Sequence, residues 1–176
     1  MKKKFKLFAT IGSLAIAICM MTIGVLAAAS VKLTIDSSIE FEATNVSAEY
    51  KVTKVEPTTE WSEVTAESEG LTTLTTKTEP VTFTNKLNET NVVAGYYVTI
   101  KNTYKANQSI TATLALTGAA SGNGYTITVS NPATVTIDFG QSKVLFVYVT
   151  VDPTSIVTGT TIDLDATVTV ELVEAA

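Results

Sequence analysis

The sequence predicts an all-β fold: an Ig-like or jelly-roll antiparallel β-sandwich of about 8–10 strands, preceded by an N-terminal signal helix. Three observations predict it. Thr is frequent after residue 30 and alternates with Val, Ile, Leu and aromatic residues. Such β-branched side chains pack well on a pleated surface and lose χ1 freedom in helices. Turn residues recur between the apolar runs at the spacing of a sandwich. Finally, no segment after residue 30 carries helical apolar spacing over the length of an α-helix.

Residues 1–29 read as a secretory signal peptide and 30–176 as a single β-sandwich domain. Lys2, Lys3, Lys4 and Lys6 form a positive start, Leu7 to Leu26 form an apolar run, and Ala27-Ala28-Ala29-Ser30 supply small residues at the end. These are the three parts of an export signal. Cleavage is expected after Ala29, with Ala27 as the alternative site. The apolar run is also about as long as a membrane span, so retention as an anchor is the other outcome. Cys19 is the single cysteine of the chain. It follows Ile18 inside the apolar run, which reads as a buried thiol rather than a lipid attachment site. The mature chain then has no cysteine, and its stability must come from its core. The C-terminal Glu171-Leu172-Val173-Glu174-Ala175-Ala176 has neither an apolar tail nor a basic stop.

Alternation marks the strands in turn. Val31-Leu33-Ile35 opposes Lys32-Thr34-Asp36, and Ile39-Phe41-Ala43 opposes Glu40-Glu42-Thr44. Val46-Ala48-Tyr50-Val52 and Ile110-Ala112-Leu114-Leu116 follow the same rule. The longest case is Ile162 to Leu172, with Ile162, Leu164, Ala166, Val168, Val170 and Leu172 on one face, a half-buried antiparallel strand. Val144 to Val151 (VLFVYVTV) differs, being apolar on both faces, and reads as a central strand covered on both sides. Glu56 to Gly70 is an acidic loop or short helical turn holding Trp61, the only tryptophan. Trp61 reads as a plug at the sandwich end, because a sugar-stacking platform needs more than one exposed ring. The likeness of Gly95–Asn102 to Gly124–Asn131 reads as two strands ending in similar Asn turns, not as duplicated domains.

Composition excludes several chemistries. The chain carries 12 Lys+Arg against 17 Asp+Glu, a net charge of -5, and no His. All 12 basic residues are Lys, and four lie in the first six residues, so the remainder carries 8 Lys against 17 acids, a net of -9. An acidic body without Arg is a poor match for nucleic-acid phosphates. Without His, the commonest general base and zinc ligand is missing. Ser142-Lys143 lacks the spacing of a Ser-Lys nucleophile. The paired carboxylates Glu40/Glu42, Glu67/Glu69 and Asp163/Asp165 share a face at i,i+2 spacing, the arrangement of a Ca²⁺ or glycosidase site. But each pair also sits on the polar side of an alternating strand or in an acidic loop, which a solvated face explains without a site, and no D-x-D-x-D-G loop is present. Lys101 and Asn102 are adjacent on a strand, so both cannot point inward to form an isopeptide bond. The expectation is therefore no catalytic, cofactor or metal site.

Several motifs point to a family. Tyr97-Val98-Thr99-Ile100-Lys101-Asn102-Thr103 resembles the strand ending in Lys-Asn of bacterial Ig-like modules. Val135 to Ser142 is similar to their apolar-x-x-Gly-Gln/Glu-Ser turn, which leads into the buried strand Val144 to Val151. With the Lys-rich signal, the chain resembles small secreted β-sandwich proteins of Gram-positive bacteria, distantly of the TasA/camelysin type of biofilm matrix proteins. Members of that type carry an aromatic-rich segment near the cleavage site, where this chain has Ala27-Ala28-Ala29-Ser30-Val31-Lys32-Leu33-Thr34. The resemblance implies a cell-surface or matrix role, secreted or extracellular, with the chain itself or other surface proteins as partners. It also implies fibres built by lending an N-terminal strand to the next subunit. Val31 to Asp36, a short alternating strand near the mature terminus, suits such addition to a sheet edge. Pairing within its own sheet is the competing expectation. A monomeric adhesion module binding glycan or protein is the alternative function, favoured by clustered exposed aromatics.

Overall fold

Leu33, Ile35, Ile39 and Phe41 share one parity with Ser37 between them, so the two N-terminal runs join into a single inward face. The computed structural model, which describes residues 31–118 and 121–173, forms one strand there, β1 (Leu33–Thr44). It is followed by β2 (Ala48–Thr58), β3 (Thr72–Leu74), β4 (Val81–Leu87), β5 (Val93–Asn102), β6 (Ile110–Thr117), β7 (Tyr125–Val129), β8 (Thr134–Ile137), β9 (Ser142–Val151) and β10 (Thr160–Leu172). The predicted signal peptide, its helix, its cleavage site and Cys19 lie outside the described residues. No helix among the described residues is long and apolar enough to cross a membrane.

The strands form two five-stranded sheets. Sheet A has the order β4-β1-β10-β6-β8, and sheet B has β3-β2-β5-β9-β7. They stack as the layers of a β-sandwich, and the inward residues of both make one core, including Ile35, Phe41, Ile110, Leu164 and Val168 from sheet A and Ala48, Val98, Ile100, Leu145 and Val147 from sheet B. Among the described residues, this core draws on strands and loops from Leu33 to Val170.

One pairing corrects the all-antiparallel expectation. β1 and β10 run parallel in register from Leu33↔Thr160 to Thr44↔Glu171, while the remaining pairs are antiparallel. Parallel neighbours need a long crossover, and here the rest of the domain provides it. Alternation gives the inward face of each strand but not the direction of its neighbour. Val31–Asp36 therefore leads into a strand held on both sides, by β4 and β10. Leu172, expected inward, is 37% exposed because it lies at the last rung of the sheet, opposite Ile110.

The similar segments Gly95–Asn102 and Gly124–Asn131 supply β5 and β7, which flank β9 on opposite sides. Gly95 lies opposite Tyr148, and a Cβ there would stand 2.1 Å from the Val147 carbonyl oxygen. Only glycine permits β5 and β9 to approach this closely.

The Lys-Asn and Gly-Gln-Ser motifs meet at one corner. Asn102 is fully buried. Its amide nitrogen donates to the carbonyls of Gln108 (2.8 Å) and Ile137 (2.9 Å), and its amide oxygen accepts from the Tyr104 N–H (3.0 Å). The Asn102 N–H donates to the Gln141 carbonyl, and the Asn102 carbonyl accepts from the Gly140 N–H. One side chain thus joins the ends of β5 and β8 to the loop before β6. The opposite situation holds beneath β1 and β4. Ser37 Oγ, both polar atoms of the Asn85 side chain and the Tyr96 hydroxyl are buried without a hydrogen-bond partner among the described residues. Burial, and secondarily the charge of Asp165, pushes the Tyr96 phenol well above its ordinary pKa.

Candidate functional site

The outer face of sheet B explains why Val144 to Val151 is apolar on both sides. Leu145, Val147, Val149 and Val151 enter the core, whereas Val144, Phe146 and Tyr148 point outward and are half-buried. The irregular segment 59–71, between β2 and β3, crosses this outer face. Trp61 stacks on Tyr148 with ring centroids 4.4 Å apart and planes at 14°. It also lies 5.6 Å from Phe146, and Phe146 and Tyr148 are 6.0 Å apart. Trp61 therefore covers the face of a sheet, which corrects the expectation of a plug at the sandwich end. Together with Glu63, Val64 and Val144, the three rings line a cleft of about 360 Å³.

Glu67 fastens the other limb of this loop. Its carboxylate pairs with the Lys51 ammonium and accepts hydrogen bonds from the Thr53 hydroxyl (2.6 Å) and the Tyr97 hydroxyl (2.6 Å). The Glu67 N–H donates to Thr99 Oγ1 at 3.2 Å, and Thr99 is fully buried beneath it. Three donors favour the charged form, so the carboxyl is held at about 2, with the Lys51 contact the largest cause. The hydrogen bond to Glu67 in turn pushes the Tyr97 phenol up, since the carboxylate holds its proton.

The other carboxylate pairs separate into different roles. Glu40 and Glu42 on β1 both hold Lys77, at 2.7 and 3.2 Å, which raises the Lys77 pKa. Glu69, two residues from Glu67, is exposed and offers its backbone carbonyl to Lys51 at 3.3 Å. Asp163 and Asp165 face outward on β10. Asp36 of β1 is the register partner of Asp163, and these three line a shallow depression with Ser38, Thr82 and Thr84. Thr84 Oγ1 donates to Asp36 at 2.6 Å. Asp36 was not singled out from the sequence because its approach to Asp163 depends on the parallel register. Among the described residues no group of three or more ligating side chains has metal-site geometry.

Lys101 pairs with Glu49 at 3.2 Å on the outer face of sheet B, away from the buried Asn102. Ser142 and Lys143 open β9 and show no hydrogen bond to one another. The feature that sequence reasoning missed is the ring cluster itself. Its signal was present in Phe146 and Tyr148, outward positions of a strand apolar on both faces, which require something apolar to cover them.

Fold and site define an all-β domain of two five-stranded sheets, one of them carrying a clasped loop and an aromatic cleft on its outer face. No protein-family model matches the chain, and no curated protein matches it.

Proposed function

We propose that the chain is an exported, non-catalytic structural protein of the cell surface or biofilm matrix of a Gram-positive bacterium, self-associating through its sheet edges. The observation that carries this reading is the placement of the unpaired strands. β4 and the three-residue β3 end the two sheets on one flank, where β4 packs against β2 and β5, while β7 and β8 end them on the flank of β9. An edge strand presents unpaired N–H and C=O groups to another chain. When the complementary edges lie on opposite flanks, the contact is heterologous and repeats as an open chain. The exposed side chains of these edges include Thr82, Thr84 and Thr126, with Lys86 the one charge among the exposed positions of β4 and β7.

Exchange of the N-terminal strand is the second route to fibres. It requires β1 to leave both β4 and β10, whereas edge addition breaks no existing ladder, so the edge route is the first choice. The Ig-like or jelly-roll assignment belongs to the same proposal. Ten strands in two sheets support it, and the parallel β1–β10 pair is the feature that an all-antiparallel scheme lacks. Export rests on the Lys-rich, apolar and small-residue parts of residues 1–29.

Gel filtration and electron microscopy of residues 30–176 test the proposal. Concentration-dependent oligomers or fibres are expected, and Thr82→Lys combined with Thr126→Lys suppresses them without lowering the melting temperature. A monomer at high concentration that forms no fibres contradicts it. The Trp61–Tyr148–Phe146 cleft favours the second reading, a monomeric adhesion module for glycan or protein.

A further inference from the structure

The cleft on sheet B has an apolar floor and an acidic rim. Glu63 lines it and Glu60 lies just before Trp61; both are exposed, and neither has a lysine within ion-pair distance among the described residues. At the end of the domain where β9 begins, the same chain presents the complementary features. Phe139 is 47% exposed, the one aromatic residue among the large exposed hydrophobics. It has no aromatic neighbour of its own among the described residues. Lys143 and Lys105 are exposed at that same end and, among the described residues, pair with no carboxylate. Lys105 lies 4.7 Å over the Tyr104 ring. Asp138, the acid beside Phe139, is taken up by the Ser109 hydroxyl at 2.7 Å.

The turn bearing Phe139 is fixed before any partner arrives. The Gln141 N–H donates to the Asp138 carbonyl, and the reciprocal bonds between Asn102 and residues 140 and 141 hold the turn to the end of β5. A ring presented on a locked turn loses little conformational freedom on docking. Aromatic side chains that enter a largely apolar pocket are the usual anchors of protein interfaces, and opposite charges at the rim fix their register.

We propose that the cleft formed by Trp61, Phe146 and Tyr148 receives Phe139 from a second copy of this chain, with Glu63 at its rim facing Lys143 of that copy. The proposal rests on the self-association reading and adds a face contact to the edge contact. It gives each subunit one donor knob, on the turn before β9, and one acceptor cleft, on the outer face of β9. A pocket and a complementary patch placed apart on one molecule generate a contact that can repeat from subunit to subunit.

Sedimentation velocity of residues 30–176 over a concentration series tests it, read alongside tryptophan emission, which reports on Trp61 alone. The wild type is expected to associate, with its emission shifting to the blue as concentration rises. Phe139→Ser, a substitution on an exposed turn, is expected to weaken association about tenfold or more and to abolish the shift. Glu63→Lys weakens association as well, and Glu63→Lys combined with Lys143→Glu restores it. If Phe139→Ser associates like the wild type while the Thr82→Lys and Thr126→Lys pair does not, the cleft proposal fails and the edge reading stands. If the wild type is monomeric throughout, both fail. Emission that responds to added oligosaccharide but not to protein concentration assigns the cleft to glycan and overturns the proposal.

Discussion

The two sheets bury similar inner faces and carry very different outer ones. Outside sheet A, Asp36, Asp163 and Asp165 are exposed, and the half-buried Glu40 and Glu42 share Lys77. Outside sheet B, the corresponding layer holds Tyr97, Val144, Phe146 and Tyr148 beneath an irregular loop clasped by Glu67. The interiors are more alike: Asn102 at the end of β5 has its amide group satisfied, while Ser37 and Asn85 in sheet A and Tyr96 in sheet B are buried without a hydrogen-bond partner among the described residues. A sandwich of this kind needs two inward faces to fold, and its outward faces are free to diverge. Here sheet A keeps the solvated acidic surface and sheet B has acquired a cover and a cleft.

The largest way to break this contrast is at Gly95. Gly95→Ala places a methyl group into the β9 backbone directly beneath the Trp61–Tyr148 stack. It is expected to cost about 3 kcal/mol or more, measured by urea denaturation, and to move Trp61 emission to the red. A change in sheet A goes the other way. Ser37→Ala removes a buried hydroxyl with no partner, and a gain of about 1 kcal/mol in the same assay is expected. A loss instead would mean that the hydroxyl is satisfied. Smaller still is Asp163→Asn, which relieves like charges at the Asp36↔Asp163 register pair and stabilises by about 0.5 kcal/mol at low salt. The gain disappears at high salt.

The acid response also separates the sheets. Glu67 titrates at about 2 in the folded chain, below its ordinary 4.5. Its contribution is therefore complete above the ordinary value and is lost as pH falls towards 2. The stability difference between wild type and Glu67→Gln should be present at pH 6 and shrink steadily below about pH 4.5. Asp152, held at about 2 by the Ser155 and Thr154 hydroxyls, loosens over a similar range in both proteins and cancels in that comparison.

Much of the fold was legible because alternation is a strong signal where one face is dry. Ile162 to Val170 and Val46 to Val52 could be assigned from their period alone, and so could the double burial of Val144 to Val151. Direction was not legible. Nothing in the apolar pattern of β1 or β10 distinguishes a parallel neighbour from an antiparallel one, so the Asp36 and Asp163 pairing was hidden. The cleft was hidden for a related reason. Trp61 precedes Phe146 by 85 positions, and the loop between β2 and β3 has no period from which its course over sheet B can be read. Glu67, grouped with Glu69 as a carboxylate pair, proved to be the clasp because a strand face supplies Lys51, Thr53 and Tyr97 at alternate positions across two neighbouring strands.

The cover over sheet B is the claim on which the contrast depends, and amide hydrogen exchange at Glu67 tests it most directly. The Glu67 N–H is bound to the hydroxyl of the fully buried Thr99. In the monomer at neutral pH it should exchange far more slowly than the exposed amides of Ser62 and Ser68, and this protection should fall in Glu67→Gln. Exchange of Glu67 as fast as its loop neighbours would contradict the account, leaving Phe146 and Tyr148 uncovered and the two outer faces without their difference.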